Sequence, residues 1–279
     1  MRLTKIGLAA FATLIVLTGA NAEEPPLKVA LDGTFAPHAM PKLGGGVEGF
    51  NVDLANALGE RLGRKMDITA AQFSGLLPGM QAGTYDFIVA PTTVTEERTR
   101  NLLFTEGYLN TDFQFAVKAD AEDITSLEGF KGKTIAVNKG SAYDQWARDL
   151  ESKIGWKVES YGTNTDAVQA VLSGRAFANV AGNTVTAWAV KKSKGLKLSY
   201  LFSTGQVFAM PFRKDDTKMR DTVEAALECM KLDGTIAKLS EKWFDVTPAE
   251  GSAAVTVYPG YGIPDMEGHD ATPHTPACG

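Results

Sequence analysis

Residues 43–63 read LGGGVEGFNVDLANALGERLG, and the fold turns on whether this is a nucleotide loop or the entry to a different kind of helix. Gly44, Gly46 and Gly49 have the Gly-x-Gly-x-x-Gly spacing of a dinucleotide site. Leu54, Leu58 and Leu62 fall four apart, on one face of a helix that Asn51 is placed to cap. A dinucleotide loop must follow a strand directly and open the helix, so that free N–H groups meet a pyrophosphate. Here FAPHAMPK (35–42) separates the glycines from the strand-like run LKVAL (27–31). The context rules against a nucleotide, and a surface turn is the expectation.

Outward from this stretch, strands and helices alternate. Residues 65–70 read as a strand, 73–83 as a short helix, 86–90 as a strand and 95–101 as a helix start, which is βαβ logic and implies a mostly parallel sheet covered on both faces. A second unit follows: a strand at 134–137, a helix opened by Ser141 with Asp144 three residues on, a strand at 158–161, a helix at 165–172 and a strand at 178–180. Two extended segments, DFQFAV (112–117) and QVFAMPF (206–212), lie between the units. Two crossings imply that the chain leaves a first lobe, builds a second and returns. The expected limits are 23–115 and 207–246 for lobe one and 116–206 for lobe two, with 247–279 as a loosely ordered tail rich in Pro, Gly, Ala and Ser.

Arg2 and Lys5, an apolar run at 6–18 and Ala20-Asn21-Ala22 give residues 1–22 the order of a signal peptide. The run is too short for a stable membrane span, and no cysteine stands at the cleavage site for a lipid, so a soluble exported protein, in the periplasm, is expected. Losing Arg2 and Lys5 and no acid would take the formal charge from -5 to -7. A mildly acidic chain lacks the clustered basic surface that nucleic acid or an anionic membrane demands. Cys229 and Cys278 are either one disulfide clipping the tail to the body or two free thiols; sequence leaves both open, because bridging depends on Cα separation. His269, His274, Cys278, Asp265 and Asp270 match no metal-ligand spacing, so no metal or other cofactor is expected.

GFNVDLANALGERLG (49–63), FSGLLPGMQAGTYDFIVA (73–90), TTVTEERTRNLLFTEGYL (92–109), SLEGFKGKTIAVNKGSAYDQ (126–145), VLSGRA (171–176) and FRKDDTKMRDTVEAALECMKLDGTIAKLSEKWF (212–244) together resemble the family-3 bacterial extracellular solute-binding proteins, the periplasmic amino-acid-binding components of ABC importers. The likeness covers almost all of 27–244 in order. It implies an α/β, two-lobed periplasmic-binding-protein fold (Venus flytrap, type II) whose two crossover segments let the lobes close on a ligand. It also implies a small carboxylate-bearing, amino-acid-like ligand, a membrane permease as partner, and a monomer.

The resemblance carries site residues over one at a time. Arg98 in Thr95-Glu96-Glu97-Arg98 matches the carboxylate clamp, where a planar guanidinium holds both oxygens; otherwise it is a solvated arginine beside two acids. Thr93 would add a hydroxyl and an N–H. Phe35 and Phe73 match rings that cover the ligand, though each alone reads as core. Asp32 matches a position that meets a distal amine in some members, and can equally serve its own loop. Asn138, Gly140, Ser141 and Ala142 match a loop whose N–H groups face the carboxylate at a helix start, with capping alone as the alternative.

One departure stands out. The family's aspartate for the ligand's α-ammonium is missing: GRAFANVAGN (174–183) puts Gly182 or Asn183 there, and no acid occurs between Arg175 and Tyr200. A buried ammonium facing no charge forfeits roughly 1.5 to 3 kcal/mol. Either Asp32 or Glu106 substitutes, or the ligand lacks a free α-ammonium, as in an N-substituted amino acid, a betaine or a simple acid. An enzyme resembling cyclohexadienyl dehydratase would need a general acid that residues 182–186 lack, so catalysis is not expected. A periplasmic accessory or sensing protein is the third reading.

Overall fold

β1 (Leu27–Leu31), buried at four of its five positions, opens lobe one. A hairpin of β2 (Met40–Pro41) and β3 (Val47–Glu48) leads into α1 (Phe50–Leu62), β4 (Met66–Ala70), α2 (Phe73–Gln81), β5 (Phe87–Ile88) and β6 (Thr92–Thr93). β4 and β5 flank β1 in parallel, because each crossover carries a helix over the sheet. The computed structural model describes residues 24–278; the expected signal peptide lies outside them. No helix among the described residues is long and apolar enough to cross a membrane.

The opening glycines sit in the β2–β3 turn, with φ of +92°, +109° and +76° at Gly44, Gly45 and Gly46, values that glycine adopts at no steric cost. The expected surface turn is what forms. Asn51 is not the helix cap. Gly49 holds that position at φ +145°, where a Cβ would meet the His38 carbonyl oxygen at 2.4 Å, so the chain passes too close for any other residue. Asn51 falls inside the first turn and points into the core, fully buried.

α3 (Glu96–Thr99) and β7 (Leu102–Phe104) precede β8 (Leu109–Lys118), the first crossing. Lobe two contains β9 (Thr134–Asn138), α4 (Ala142–Leu150), β10 (Lys157–Tyr161), α5 (Asn164–Leu172), β11 (Ala178–Gly182) and α6 (Asn183–Lys192). β12 (Leu196–Ala209) crosses back, and β13 (Pro211–Arg213), α7 (Thr217–Leu232) and α8 (Thr235–Phe244) complete lobe one. One six-stranded sheet runs β10-β9-β11-β8-β12-β6, parallel through β11 and antiparallel beyond, so it passes from lobe two through both crossing strands into lobe one. The expected boundaries at 115/116 and 206/207 fall within β8 and β12.

Each lobe has its own apolar core. Leu27, Phe50, Leu54, Phe87, Phe212 and Leu227 belong to the first. Phe115, Phe130, Val137, Trp156 and Val180 belong to the second, which also takes in Phe35 from lobe one.

Residues 247–278 are not a loose tail. Cys278 is disulfide-bonded to Cys229 of α7. Ala253 and Ala254 are buried, Tyr261 pairs with Asp270, and the strap is fastened to buried acids of lobe one. Glu224 accepts from the Gly262 N–H (2.7 Å), Glu106 from the Tyr258 N–H (2.8 Å), and Glu228 pairs with His274 (2.8 Å). Composition misleads here because the segment is ordered through partners remote in the chain, the buried carboxylates and Cys229 of lobe one, rather than through a periodicity of its own. His274 is thereby engaged with Glu228, and Cys278 in the disulfide. The oxygens of Glu106, Glu224 and Glu228 lie within 4.8 Å of one another, and their counter-charges include Lys231, 2.5 Å from Glu106, and Arg220, 3.9 Å from Glu224.

Candidate ligand-binding cleft

The lobes are closed on one another, and the closing contacts define the cleft. Thr95 caps α3 by accepting from the Arg98 N–H (3.2 Å), which fixes where the Arg98 side chain starts. Its guanidinium donates to the Thr93 carbonyl of its own lobe (2.8 Å) and to the Gly140 carbonyl of lobe two (3.1 Å), and lies over the Phe73 ring (5.7 Å). Burial pulls its pKa down to about 10, opposed by Tyr143 and Glu97, so it remains a cation at neutral pH. Thr93 thus serves Arg98 through its carbonyl and is itself buried.

Opposite Arg98, Ser141 caps α4: its hydroxyl accepts from the Asp144 N–H (3.1 Å) and donates to the Asn138 carbonyl (2.7 Å). The Asp144 carboxylate reaches back to the Gly140 N–H (2.9 Å), one residue further than a capping box requires. The first turn of α4 therefore faces Arg98 across a cavity of about 290 Å³, whose walls include Thr95, Phe113, Ala142, Trp146 and Gln206. A second cavity of about 300 Å³ lies on the Phe73 side of Arg98.

Asp32 is buried, and both of its oxygens are engaged. Oδ1 accepts from the Thr34 N–H (2.9 Å) and hydroxyl (2.7 Å), Oδ2 from the Phe73 N–H and the Asn138 amide of lobe two (3.3 Å each). Phe35 lies parallel to Tyr143 at 6.4 Å. Asp32, Phe35, Phe73, Thr93, Arg98, Asn138, Ser141 and Ala142 thus converge at one inter-lobe surface. Asn183 stands apart: its side chain accepts from the Asp112 N–H (3.5 Å), and it lines a separate inter-lobe groove with Thr184, Trp188 and Phe244. Glu106, the other candidate for the missing acid, is taken by Lys231 and the strap.

The sequence reading missed Tyr143 and His38, and gave Asn51 only the part of a helix cap. Tyr143 is 3% exposed, and burial together with the Asp32 charge raises its phenol well above the usual range. His38 is fully buried between Phe35, Phe50, Phe208 and Phe244. Asn51 orients it: the Asn51 amide donates to the Val89 carbonyl and the Tyr108 hydroxyl, so its oxygen accepts from His38 Nδ1 (2.8 Å). His38 Nε2 then accepts from the Thr184 hydroxyl of lobe two (2.8 Å). Burial lowers the His38 pKa to about 4, and the ring is neutral. The one clue in the sequence was that His38 is the single histidine outside the last eleven residues.

The sequence matches the profile of the bacterial extracellular solute-binding proteins, family 3, over residues 27–246, which leaves out the strap. It is 35% identical over 234 residues to the probable amino-acid-binding protein YxeM of Bacillus subtilis, covering 82% of this chain and 87% of that one. It is 26% identical to the L-arginine-binding protein of Pseudomonas aeruginosa, over 85% of this chain and 95% of that protein. Among solved structures, an ancestral arginine-binding protein bound to arginine superposes with a TM-score of 0.76 at 33% identity, over 80% of this chain and 99% of the other. The ancestral amino acid-binding protein AncCDT-1, a precursor of cyclohexadienyl dehydratase, gives 0.73 at 31%, over 78% and 95%. With its two-lobed α/β fold, two crossing strands and a profile match over most of its length, the chain belongs to the bacterial extracellular solute-binding proteins, family 3.

Proposed function

We propose that this protein captures a small carboxylate-bearing, amino-acid-like solute between its lobes in the periplasm and delivers it to the permease of an ABC importer. The observation that carries the reading is Arg98, a half-buried cation tied to a carbonyl of each lobe and facing the capped start of α4. A carboxylate at that point would accept from the guanidinium and from the free N–H groups of the helix start. Relatives named for binding amino acids support the same ligand class. Binding is favoured over catalysis because Asp32 has its oxygens engaged and neither Gly182 nor Asn183 supplies an acid. We read the protein as a monomer in solution.

Calorimetry with a carboxylate selected by thermal-shift screening tests the assignment. Arg98→Ala should lose about 2 to 5 kcal/mol of binding free energy, since a desolvated carboxylate is left unpaired. Binding by Arg98→Ala within about twofold of the parent refutes the clamp.

A further inference from the structure

A third cavity, of about 690 Å³, adjoins the cleft beside the strap. Its apolar wall comes from Val94 after β6, Val207 of β12, and Tyr258, Ile263, Pro264 and Met266 of the strap. Thr95, Glu97 and Gln206 line this cavity and the cleft cavity alike, so the two spaces are neighbours across these residues. The charges on the wall are Glu96 and Glu97, both exposed, and they repel a second carboxylate. The strap lies beyond residue 246, where the family profile ends, so its side of the cavity is an addition made by this chain.

The cleft cavity beside Arg98, about 290 Å³, has room for a small head group, whereas about 690 Å³ is in the range that encloses a much larger body. Gln206 adds a chemical demand at the boundary. Its amide oxygen is buried and has no hydrogen-bond partner. A buried acceptor without a donor is costly, and an N–H brought in as the lobes close would satisfy it. An amide N–H suits the position because it donates without carrying a charge, and the chain offers no acid between Arg175 and Tyr200 to receive an ammonium.

We infer that the strap makes the cleft the head of a longer site, which takes an N-acyl amino acid: carboxylate on Arg98 and the start of α4, amide N–H on the Gln206 oxygen, acyl chain against Tyr258 and Met266 of the strap. This rests on the clamp reading of Arg98 and names the ligand class of that site. The acyl chain gains by leaving water for the apolar wall, and the gain grows with its length until the cavity is filled.

The test compares N-acetylglycine with N-octanoylglycine, which share the carboxylate and the amide and differ only in the acyl chain. Calorimetry is run on the mature chain, Met266→Asp, Pro264→Asp and Arg98→Ala, with thermal melts confirming that each is folded. The parent should bind N-octanoylglycine at least about tenfold more tightly than N-acetylglycine. Met266→Asp sets a charge on the strap wall and should bring the two probes within about threefold of each other, with N-acetylglycine within about twofold of its parent affinity. Pro264→Asp makes the same test should Met266→Asp not fold. Octanoyloxyacetate, with an ester oxygen in place of the N–H, should bind at least about fivefold more weakly than N-octanoylglycine; equal affinity overturns the N-acyl assignment. A parent that does not bind N-octanoylglycine, or binds it within about twofold of N-acetylglycine, overturns the inference, as does a chain-length preference that survives in a folded strap variant. Arg98→Ala reports separately, with the carboxylate selected by thermal-shift screening: unchanged affinity there refutes the clamp, whatever the acyl preference of the parent.

Discussion

His38 Nε2 lies 2.8 Å from the Thr184 hydroxyl, so a fully buried imidazole of lobe one is hydrogen-bonded to the first turn of α6 in lobe two. Burial holds its pKa at about 4, against an ordinary 6.5. The unfolded chain therefore binds the proton more readily than the folded one between these values. The His38 contribution is fully present above pH 6.5 and is lost as pH falls towards 4, to a total of about 3 kcal/mol. His38→Gln should remove this acid sensitivity. Melting curves of parent and variant from pH 7.5 to 4.5 should converge on the acid side, and parallel curves would refute the assignment.

Burial keeps that imidazole neutral, while Asn51 orients it and pushes its pKa the other way without offering it a charge. Asn51→Asp would strip a donor from the Val89 carbonyl and the Tyr108 hydroxyl and set a carboxylate against His38 Nδ1. The expected cost at neutral pH is about 1 to 3 kcal/mol. The cost should shrink on acidification, because the new carboxylate favours a protonated ring; denaturant titrations at pH 7.5 and 5.5 measure the difference.

The Lys231 ammonium is paired with the buried Glu106 carboxylate (2.5 Å) and donates to the Gly107 carbonyl (2.6 Å) and to the half-buried Thr256 carbonyl of the strap (2.8 Å). Lys231→Met leaves Glu106 unpaired and should cost about 3 to 5 kcal/mol. Adding Glu106→Gln should recover part of that loss. Urea unfolding of the two single variants and the double variant gives the coupling energy, and additive losses would show that the pair is not coupled.

Reduction of Cys229–Cys278, or Cys278→Ser, should lower stability by about 2 to 4 kcal/mol, for a bridge closing a separation of 49 residues. The strap should then respond to alkali. Burial pushes the Glu224 carboxyl up to about 8, so its contribution is present below its ordinary value of 4.5 and is lost as pH rises through 8. Hydrogen exchange at the Gly262 amide in the reduced protein should rise between pH 7 and 9 by more than intrinsic exchange explains. Glu224→Gln should abolish the excess.

What the sequence disclosed follows from how local each cause was. Leucine spacing located α1, the Ser141–Asp144 pair located α4, and the alternation of units located the two lobes, since each is written in neighbouring residues. Asn51 was misread as a cap because its partners, His38, Val89 and Tyr108, are remote in the chain. The strap was misread because its order comes from Glu106, Glu224 and Glu228 rather than from its own composition. The motif resemblance named Arg98, Asp32 and Ser141, which the fold brings to one surface. It could not reveal that Phe208 fills the space beside Gly182, or that the Tyr143 ring is buried against Phe35 and Phe113.

The continuous sheet links Arg98 of lobe one to a strand that crosses between the lobes. β6 pairs Thr93 with Phe208 of β12, and Thr93 carries the carbonyl that Arg98 holds. The Arg98 guanidinium is therefore joined to the returning strand through Thr93, and Gln206 of that same strand lines the cavity beside it. β12 shifts register against β8 between Leu198 and Leu201 and again between Phe202 and Gln206, and such irregularities bend a strand locally, here within the segment that joins the two lobes.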